Sequence, residues 1–456
     1  MNLKTLNLTV LLITILVLVP SIQIVYASSS SAFTISGGIY PQGDYTVWKE
    51  GSYYFAKDVY GFIPSWGEST NFISLMQYCH DNLPNGGVIQ LTKGSFYDNG
   101  IEFNITNRGI TVRGMGYPTK WITNNGATQS PIVIKNTDNF RIENFVLISN
   151  IEKTLGSGIA LENCWVQMAS SPNDRQSCVN SIRNMIIENH YEGIRFENTT
   201  WVDVENVDIR NSYWKGLVFN YGASFIWLTK VNIWGIDRPN YNMSVHFMSA
   251  YSIYASQCEW LNAKVWGVLS NPSTGIGNAW FKFTQCAVEM NQSATEGDAW
   301  VFTDNQGGSN EGVYLLDCWG VSAKNGLILD GVQDAEVNGG QFQGNDEHGI
   351  WLQDEDTKSV IMDGIKFAVN SRKTDNTYDN LHVDANVSYW SITDSWFWGN
   401  NIFGESGNPD VRYGICVDEG ASNWYQICNN ILVYHETGAI SDGGTGENKT
   451  VNDNTY

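Results

Sequence analysis

Residues 326–367 have the sequence GLILDGVQDAEVNGGQFQGNDEHGIWLQDEDTKSVIMDGIKF, in which the repeat of this chain is clearest. It contains the pattern Gly-apolar-x-apolar twice, at Gly326–Leu329 and Gly349–Leu352, and Gly, Asn and Asp turns separate the apolar segments. Such short alternating segments bounded by turn residues are typical of short, half-buried strands. The stretch therefore predicts a repeating unit built from short strands.

The same start recurs along most of the chain, at intervals of about 22 to 33 residues. Clear copies are Gly158–Leu161, Gly193–Phe196, Gly216–Phe219 and Gly414–Val417, and looser copies begin near Val245, Ala299 and Leu381. Each unit also contains two further apolar strands joined by a polar or small turn, as in Val360–Phe367. Three short strands per unit predict an all-β fold, a single parallel β-helix of about a dozen coils over residues 86–456.

Residues 28–85 precede the coils and are predicted to cap them, because the first coil would otherwise expose core and unpaired backbone. Ser69–Asn82 has helical spacing of apolar residues and predicts a short α-helix in this cap, with Ser69 or Thr70 as its N-cap. Its predicted buried face consists of Phe72, Leu75, Met76 and Cys79.

Residues 1–27 have the pattern of a signal peptide. Lys4 precedes an apolar segment at residues 8–19, and Val25-Tyr26-Ala27 is a small-residue cleavage signal. An uncleaved membrane anchor at this segment is the alternative, and no second apolar segment of spanning length follows. We expect a secreted or cell-surface protein whose membrane attachment, if any, is through this segment.

The formal charge of −21 excludes some partners. No Lys/Arg-rich run is present, so nucleic acid is not an expected partner, since phosphate neutralisation needs clustered cations. An acidic surface also repels polyuronates unless a divalent cation intervenes.

Two residue types agree with export. Six Asn-x-Ser/Thr sequons occur, at Asn104, Asn198, Asn242, Asn291, Asn386 and Asn448. The eight cysteines are compatible with disulfides, and coil stacking brings one series within bridging range. That series is Cys258, Cys286 and Cys318, with Cys164–Cys178 and Cys416–Cys428 as further possible pairs. A row of free thiols packed as small hydrophobes is the equally weighted alternative.

Two segments resemble the pectate-lyase-type β-helix superfamily. They are Gly86–Tyr97, a Gly-Gly-apolar strand ending near Gly-x-Tyr, and Gly109–Gly116, an apolar strand closing with Gly-x-Gly. Gly438–Tyr456 is similar to the last coil of that family. The resemblance implies a right-handed parallel β-helix, of the kind found in extracellular polysaccharide-processing proteins. It does not choose among lyases, hydrolases, epimerases, phage tailspikes and passive surface proteins.

The catalytic motifs of polygalacturonases, which resemble this fold, are missing. Asn136-Thr137-Asp138 occurs, but too early and in a turn, and neither Asp-Asp nor Gly-His-Gly is present. That hydrolase mechanism is therefore not expected.

Alternation along each first strand predicts two rows of outward side chains, one residue per coil. The first row is Arg195, Val218, His246, Val301, Ile328, Trp351, His382 and Cys416. The second is Glu197, Asn220, Thr303, Asp330, Gln353, Asp384 and Asp418.

We interpret the end of these rows as a carbohydrate groove. Asp330 and Asp384, two coils or about 9.6 Å apart, are the predicted catalytic acid and base of an inverting glycosidase. His382 is a predicted additional proton-transfer group. The predicted substrate-binding residues are Trp351, Asp354 and His348. The alternative is that these Asp residues only end strands, where their oxygens satisfy loose amides.

A lyase mechanism requires different functional groups, a bound cation and a base. Neutralising a uronate carboxylate usually takes a bound cation, and oxygen ligands for Ca²⁺ are available from Asp330, Asp354, Asp356 or Asp384. Arg195 or Arg210 would be the base, although an ordinary arginine pKa makes it a reluctant one. We expect no other cofactor. The sequence thus predicts an extracellular polysaccharide-active protein, lyase or glycoside hydrolase, and the alternative is a non-catalytic glycan-binding or structural β-helix.

Overall fold

The computed structural model describes residues 44–98, 102–106, 109–124, 126, 128–165, 180–235, 243–290, 297–399, 410–420 and 422–456. The predicted signal peptide, Asn242, Asn291 and Cys178 lie outside these residues, so the expectations on them stay predictions. Among the described residues, none of the helical structure is long and apolar enough to cross a bilayer.

The N-terminal cap is a small hairpin followed by the predicted helix. It contains β1 (Tyr45–Glu50), β2 (Tyr53–Asp58), β3 (Glu68–Ser69) and α1 (Phe72–Asp81). The apolar face predicted for the helix is buried. The predicted N-cap is wrong: Asn71 caps the helix, because its side chain accepts a hydrogen bond from the Ser74 amide at 3.1 Å.

The coils follow, as strands β4 to β40. The first half is β4 (Gly87–Leu91), β5 (Gly94–Asp98), β6 (Phe103–Thr106), β7 (Ile110–Arg113), β8 (Thr119–Thr123), β9 (Ile132–Lys135), β10 (Arg141–Glu143), β11 (Val146–Ser149), β12 (Ser157–Glu162), β13 (Asn180–Glu188), β14 (Glu192–Glu197), β15 (Thr200–Arg210), β16 (Lys215–Asn220), β17 (Ala223–Trp234), β18 (Met243–Phe247), β19 (Ala250–Ser256), β20 (Glu259–Ala263) and β21 (Trp266–Ser270). The second half is β22 (Gly277–Thr284), β23 (Ala287–Met290), β24 (Asp298–Thr303), β25 (Ser309–Leu316), β26 (Trp319–Val321), β27 (Leu327–Asp330), β28 (Val332–Asn338), β29 (Gln341–Gln343), β30 (Ile350–Gln353), β31 (Lys358–Asp363), β32 (Lys366–Ala368), β33 (Leu381–Val383), β34 (Ser388–Thr393), β35 (Trp396–Trp398), β36 (Tyr413–Gly420), β37 (Tyr425–Cys428), β38 (Ile431–Val433), β39 (Gly438–Gly444) and β40 (Lys449–Asn452).

One strand from each coil contributes to the first sheet, in which successive strands pair in parallel. It has thirteen strands, in the order β6, β9, β12, β14, β16, β18, β21, β24, β27, β30, β33, β36 and β39. The other strands of the coils form the second and third sheets, and β17 runs through both, since it pairs with β19 and with β20. The predicted fold, a single right-handed parallel β-helix of about a dozen coils, is confirmed.

The corner between the second and third sheets explains the many Asn, Asp and Gly residues. One residue of each coil has a left-handed backbone there, which Asn, Asp and Gly adopt at low cost. Examples are Asn144, Asn184 and Asn206, with φ of 65°, 52° and 54°. Their side chains form a ladder in which Asn184 donates to Asn144 at 3.0 Å and Asn206 to Asn184 at 2.8 Å.

The core lies inside the coils, where equivalent apolar residues stack on one another. Phe196, Phe219 and Phe247 stack in this way, with both centroid separations at 4.8 Å. Aromatic pairs of this kind stabilise by about 0.5–1.5 kcal/mol beyond their buried area. The predicted cysteine row is also inside, and Cys258, Cys286 and Cys318 are buried free thiols there. Cys416 and Cys428 are free as well, so they do not form the bridge that the sequence left possible.

Candidate functional site

Both predicted rows lie on the outer face of the first sheet, and the strand register defines them. The first row pairs, coil by coil, Arg195, Val218, His246, Leu269, Val301, Ile328, Trp351, His382 and Cys416. The predicted row lacks Leu269 because Gly267-Val268-Leu269-Ser270 has a serine where the pattern Gly-apolar-x-apolar has its second apolar residue.

The second row ends in carboxylates. Thr303 pairs with Asp330 and Asp330 with Gln353. Val383 pairs with Val417, and Asp384 and Asp418 directly follow these two residues. The repeat therefore brings the second row's acidic residues beside His382 and Trp351 of the first row.

His382 has a carboxylate at each ring nitrogen. Nδ1 lies 2.8 Å from Asp379 Oδ2, and Nε2 lies 3.3 Å from Asp384 Oδ1 and 3.5 Å from Asp418 Oδ2. Burial by itself lowers the pKa of His382, but hydrogen bonds to Asp379, Asp384 and Cys416 outweigh burial and raise the pKa to about 11. At neutral pH His382 is therefore an imidazolium that donates from both nitrogens.

Asp379 fixes the orientation of the His382 ring through its contact with Nδ1, on the buried side of the site. Its side chain is fully buried, and Arg412 binds it in a bidentate manner, with Nε to Oδ1 at 3.0 Å and Nη2 to Oδ2 at 2.6 Å. The Tyr413 amide also donates to Oδ1, at 3.1 Å. Burial raises the pKa of Asp379, but the bonds from His382 and Arg412 outweigh it, so the pKa is lowered. Asp379 is a permanent buried anion.

Asp384 is held ionised at the surface of the groove. Trp351 Nε1 donates to its Oδ1 at 2.7 Å, and its carboxylate is about one-third exposed. Burial raises the pKa of Asp384, but the bonds from His382 and Trp351 outweigh it and lower the pKa. Trp351 thus has a defined role in this site, since its indole N–H orients the carboxylate.

Asp330 has the opposite electrostatic environment. Burial raises its pKa; the hydrogen bond from Thr303 Oγ1, at 2.5 Å, opposes this, and the negative charges of Asp354 and Asp384 add to the rise. Because β30 separates β27 from β33, the backbones of Asp330 and Asp384 are two coils apart, about 9.6 Å. This is the separation that the sequence predicted.

The other two predicted substrate-binding residues, His348 and Asp354, differ in their exposure. His348 is only 5% exposed, and its Nδ1 accepts the Asp379 backbone amide at 3.2 Å. Burial and the positive His382 lower the pKa of His348 to about 3, so it is a neutral support beneath the site and does not line the groove surface. Asp354 is exposed in the turn after β30, where its Oδ1 accepts the Asp356 amide at 2.8 Å.

Two groups of side chains have metal-type ligand atoms within 4.8 Å of one another among the described residues. They are His348, Asp379 and His382, and His382, Cys416 and Asp418. In both groups the carboxylates are already hydrogen-bonded or ion-paired to His382 or Arg412. The predicted Ca²⁺ ligands Asp330, Asp354, Asp356 and Asp384 do not form a third group in the described residues.

A second polar cluster, the Lys215 cluster, occupies the same face at β16 to β21. Lys215 is 2% exposed, and its Nζ lies 2.7 Å from His246 Nδ1. His246 Nε2 lies 2.7 Å from Asn271 Oδ1, so this imidazole donates to the amide oxygen and accepts from the ammonium. Burial lowers the pKa of Lys215 to about 8, and burial together with Lys215 lowers that of His246 to about 3.

The arginines proposed as lyase bases are engaged in ion pairs. Arg195 binds the fully buried Glu192 with two hydrogen bonds, at 2.8 and 2.9 Å, which raise the pKa of Arg195. Arg210 pairs with Asp208 at 2.7 Å. Both arginines are therefore cations held by carboxylates, and the expectation that one of them is a base is corrected.

An apolar belt separates the two polar regions. It consists of outward-facing residues of the first sheet, Met243, Leu269, Val301 and Ile328, packed with Trp266 and Trp351. The face therefore runs from a cationic cluster, over apolar side chains, to the carboxylates around His382.

Sequence reasoning missed two residues that orient the site, Asp379 and Arg412. Asp379 lies two residues before β33 and Arg412 one residue before β36, outside the strand positions from which the rows are predicted, so only their charge near a first-sheet strand is available as a signal. The triplet Asn136-Thr137-Asp138 lines a separate open depression of about 390 Å³, on the turn after β9 and nine coils before His382.

No protein-family model and no curated protein matches the chain. Solved structures with similar architecture include the A-module of the Azotobacter vinelandii mannuronan C-5 epimerase AlgE4, at 11% identity, with 84% of this chain and 96% of that chain covered and a TM-score of 0.39. A second is the catalytic domain of a GH87 alpha-1,3-glucanase in complex with tetrasaccharides, at 11% identity, 85% and 67% coverage and a TM-score of 0.38. A third is tailspike protein 3 of bacteriophage CBA120, at 9% identity, 85% and 59% coverage and a TM-score of 0.39. At these values the likeness assigns no residue role to this chain.

Proposed function

We propose that this protein is exported and acts on a carbohydrate polymer bound along the outer face of the first sheet, which it cleaves by hydrolysis. One observation carries the proposal: Asp330 and Asp384 lie two coils apart on one face, and their surroundings shift their pKa values in opposite directions. Two carboxyl groups whose pKa values are pushed apart are the arrangement expected for a general acid and a general base.

In this proposal Asp330 is the general acid. Burial and the nearby charges favour its protonated form, which is the form that donates to a leaving glycosidic oxygen. Asp384 is the base, because His382 and Trp351 hold it ionised and ready to take a proton from water. A two-coil separation leaves room for that water, as in inverting glycosidases, whose carboxyl groups are roughly 6.5–9.5 Å apart.

His382 and its partners act as a positioning unit. The bidentate Arg412–Asp379 pair fixes Nδ1, so Nε2 is directed at Asp384 and Asp418. Carboxylates two coils apart act on one bond only if their orientation is maintained, and a buried ion pair does this at no cost during the reaction.

The apolar belt and Trp351 support polymer binding. Sugar rings have apolar faces that pack on aromatic and aliphatic surfaces, and Trp351 joins the belt to the carboxylates. A chain lying along the rows would contact the belt on one side of the proposed scissile bond.

The experiment is a screen of the purified protein against neutral and uronate polysaccharides, with and without Ca²⁺, for new reducing ends and for the ultraviolet absorbance of unsaturated products. We expect new reducing ends without unsaturated products. Asp330→Asn and Asp384→Asn should each lower the rate by about 10²–10⁴-fold. Asp394→Asn is the matched control, since Asp394 is an exposed residue at the opposite corner, with φ of 50°.

Three outcomes contradict the proposal. Unsaturated products that require Ca²⁺ would establish a lyase, and glycan binding without any cleavage would establish the non-catalytic alternative. Full activity in the Asp330→Asn, Asp384→Asn double variant would move the site elsewhere.

A further inference from the structure

One position of the second sheet has a left-handed backbone in nine successive coils. The strand register aligns these residues, the left-handed column, as Trp201, Phe225, Ser252, Trp280, Gly312, Asp334, Ser359, Tyr389 and Trp424. Their φ values lie between 51° and 68°. Gly312 and Asp334 show that small or turn-forming residues satisfy this position, so the fold itself does not require an aromatic residue here.

Two aromatic residues near the end of the column are exposed. Tyr389 is 54% and Trp424 52% exposed, and their rings are parallel within 5° with centroids 6.0 Å apart. A bulky residue at positive φ costs free energy, and an exposed aromatic pair gains little from burial. The two parallel rings thus form a flat, exposed apolar surface on which the apolar face of a sugar ring can pack.

The next residue of the column is a sequon asparagine. Tyr425 pairs with Lys449, so Asn448 follows Trp424 in the column at one coil spacing, about 4.8 Å. The Asn423 side-chain oxygen accepts both backbone amides, from Trp424 at 2.9 Å and from Asn448 at 2.8 Å. Asn448 is exposed, and its side-chain amide has no hydrogen bond to a described residue.

Other sequon asparagines in the described residues have engaged amide nitrogens. Asn198 Nδ2 donates to Asn163 Oδ1 at 2.7 Å, and Asn104 Nδ2 donates to the Glu102 carbonyl at 3.3 Å. Glycosylation replaces one of the two Nδ2 hydrogens with a sugar ring, so at either residue it would place that ring beside the acceptor of the bond. Asn386 is exposed and belongs to the same neighbourhood, because Ser388 Oγ donates to its carbonyl and accepts the Asn423 amide.

We infer that Asn448 is an N-glycosylation site whose first sugar residues pack on Trp424 and Tyr389. In the modification, Asn448 Nδ2 bonds to the anomeric carbon of a lipid-pyrophosphate-linked oligosaccharide. The carbon–oxygen bond to phosphate breaks, the lipid pyrophosphate leaves, and a base of the transferase takes the Nδ2 proton. The apolar face of the attached sugar covers the ring pair, which accounts for exposed aromatics beside a free asparagine amide. This inference rests on the export included in the proposed function.

The first test is peptide mass spectrometry on the full chain purified from the cells that make it. We expect a glycan on Asn448 and none on Asn198, and loss of that glycan mass in Asn448→Gln. An unmodified Asn448, modification of Asn198, or a chain retained inside the cell overturns the inference. Polymer cleavage by unglycosylated recombinant protein is measured separately, so failure here is distinguishable from failure of the proposed hydrolase.

The second test is hydroxyl-radical footprinting of the same protein before and after enzymatic removal of the glycan. Trp280 is the matched control, since it occupies the same column, is 53% exposed and has Ser252 and Gly312 as column neighbours. We expect Trp424 oxidation to increase several-fold on deglycosylation while Trp280 oxidation is unchanged. Equal changes at both residues, or none at Trp424, would contradict the packing.

Discussion

His246 and His382 occupy the same row of the first sheet, five coils apart, and have different charge states. His246 accepts from the buried Lys215 ammonium, so it is neutral, with a pKa of about 3. His382 lies between Asp379 and Asp384, so it is a cation, with a pKa of about 11. Both rings are mostly buried, at 6% and 8% exposure, so burial does not distinguish them.

The difference shows that the coil supplies a position and that partners from other coils and from turns set the charge state. The partners of His246 come from the first sheet and the turn after β21, Lys215 and Asn271. The decisive partner of His382, Asp379, comes from the turn before its own strand. Identical strand geometry thus supports a neutral hydrogen-bonded imidazole at one end of the face and an imidazolium at the other.

The largest expected effect separates the two histidines by activity. His382→Asn should lower polymer cleavage by about 10²–10⁴-fold, because Asp384 loses the cation that keeps it ionised and oriented. His246→Asn should lower the rate by less than about tenfold, since no proposed catalytic carboxylate contacts it. Initial rates on the polymer found in the screen measure both, and equal losses would remove the functional distinction between the two ends.

A smaller effect is expected on stability when the buried anion beneath His382 is removed. Asp379→Asn leaves Arg412 without its counter-ion and removes the carboxylate at His382 Nδ1, and breaking a buried ion pair costs about 3–5 kcal/mol. Urea unfolding measures the free energy. Asp208→Asn is the control, because the Asp208–Arg210 pair is more exposed and should cost less than about 1 kcal/mol. Similar losses of unfolding free energy in the two variants would show that removing the buried Asp379 carboxylate costs no more than removing a more exposed one.

The smallest expected effect concerns the carboxyl group of Asp298. This residue is on β24, which lies between the strands of His246 and His382 in the first sheet. Burial raises the pKa of Asp298 to about 6, although Asn325 donates to it at 2.9 Å. The pKa of Asp298 is therefore higher in the folded state, at about 6, than in the unfolded state, at about 3.8. Its contribution to stability is fully present below pH 3.8 and is lost as the pH rises through about 6. We expect Asp298→Asn to remove a decrease of about 1–2 kcal/mol between pH 4 and pH 7. Unfolding free energies at the two pH values test this, and an unchanged pH dependence would contradict it.

The sequence alone is sufficient to predict the two rows of outward side chains on the first sheet, because the hydrophobic alternation fixes the register of each strand. A shift by one residue would turn Leu327 and Leu329 outward, so Asp330 and Trp351 could be assigned to the outer face from the pattern. Trp266–Ser270 does not match the full pattern, because Ser270 stands where other coils have an apolar residue, although Gly267-Val268 supplies the Gly-apolar start.

The turns were not predictable in the same way. Arg412 reaches Asp379 across 33 residues of sequence, and turn lengths vary between coils, so no period aligns the two. His348 lies one residue before a Gly-apolar start, and nothing in that pattern indicates that its ring lies under Trp351 and His382 rather than above them.

By itself, the sequence determined the coil period, the apolar core and the vertical rows of outward residues, because the alternation of a strand leaves each side chain only two directions. Only the tertiary structure decided which carboxylates are ionised, that His382 carries a proton on both nitrogens, and that Asn448 stands beside an exposed aromatic pair. Charge states and surface neighbours depend on distances between residues of different coils, and those distances exist only after the coils have stacked.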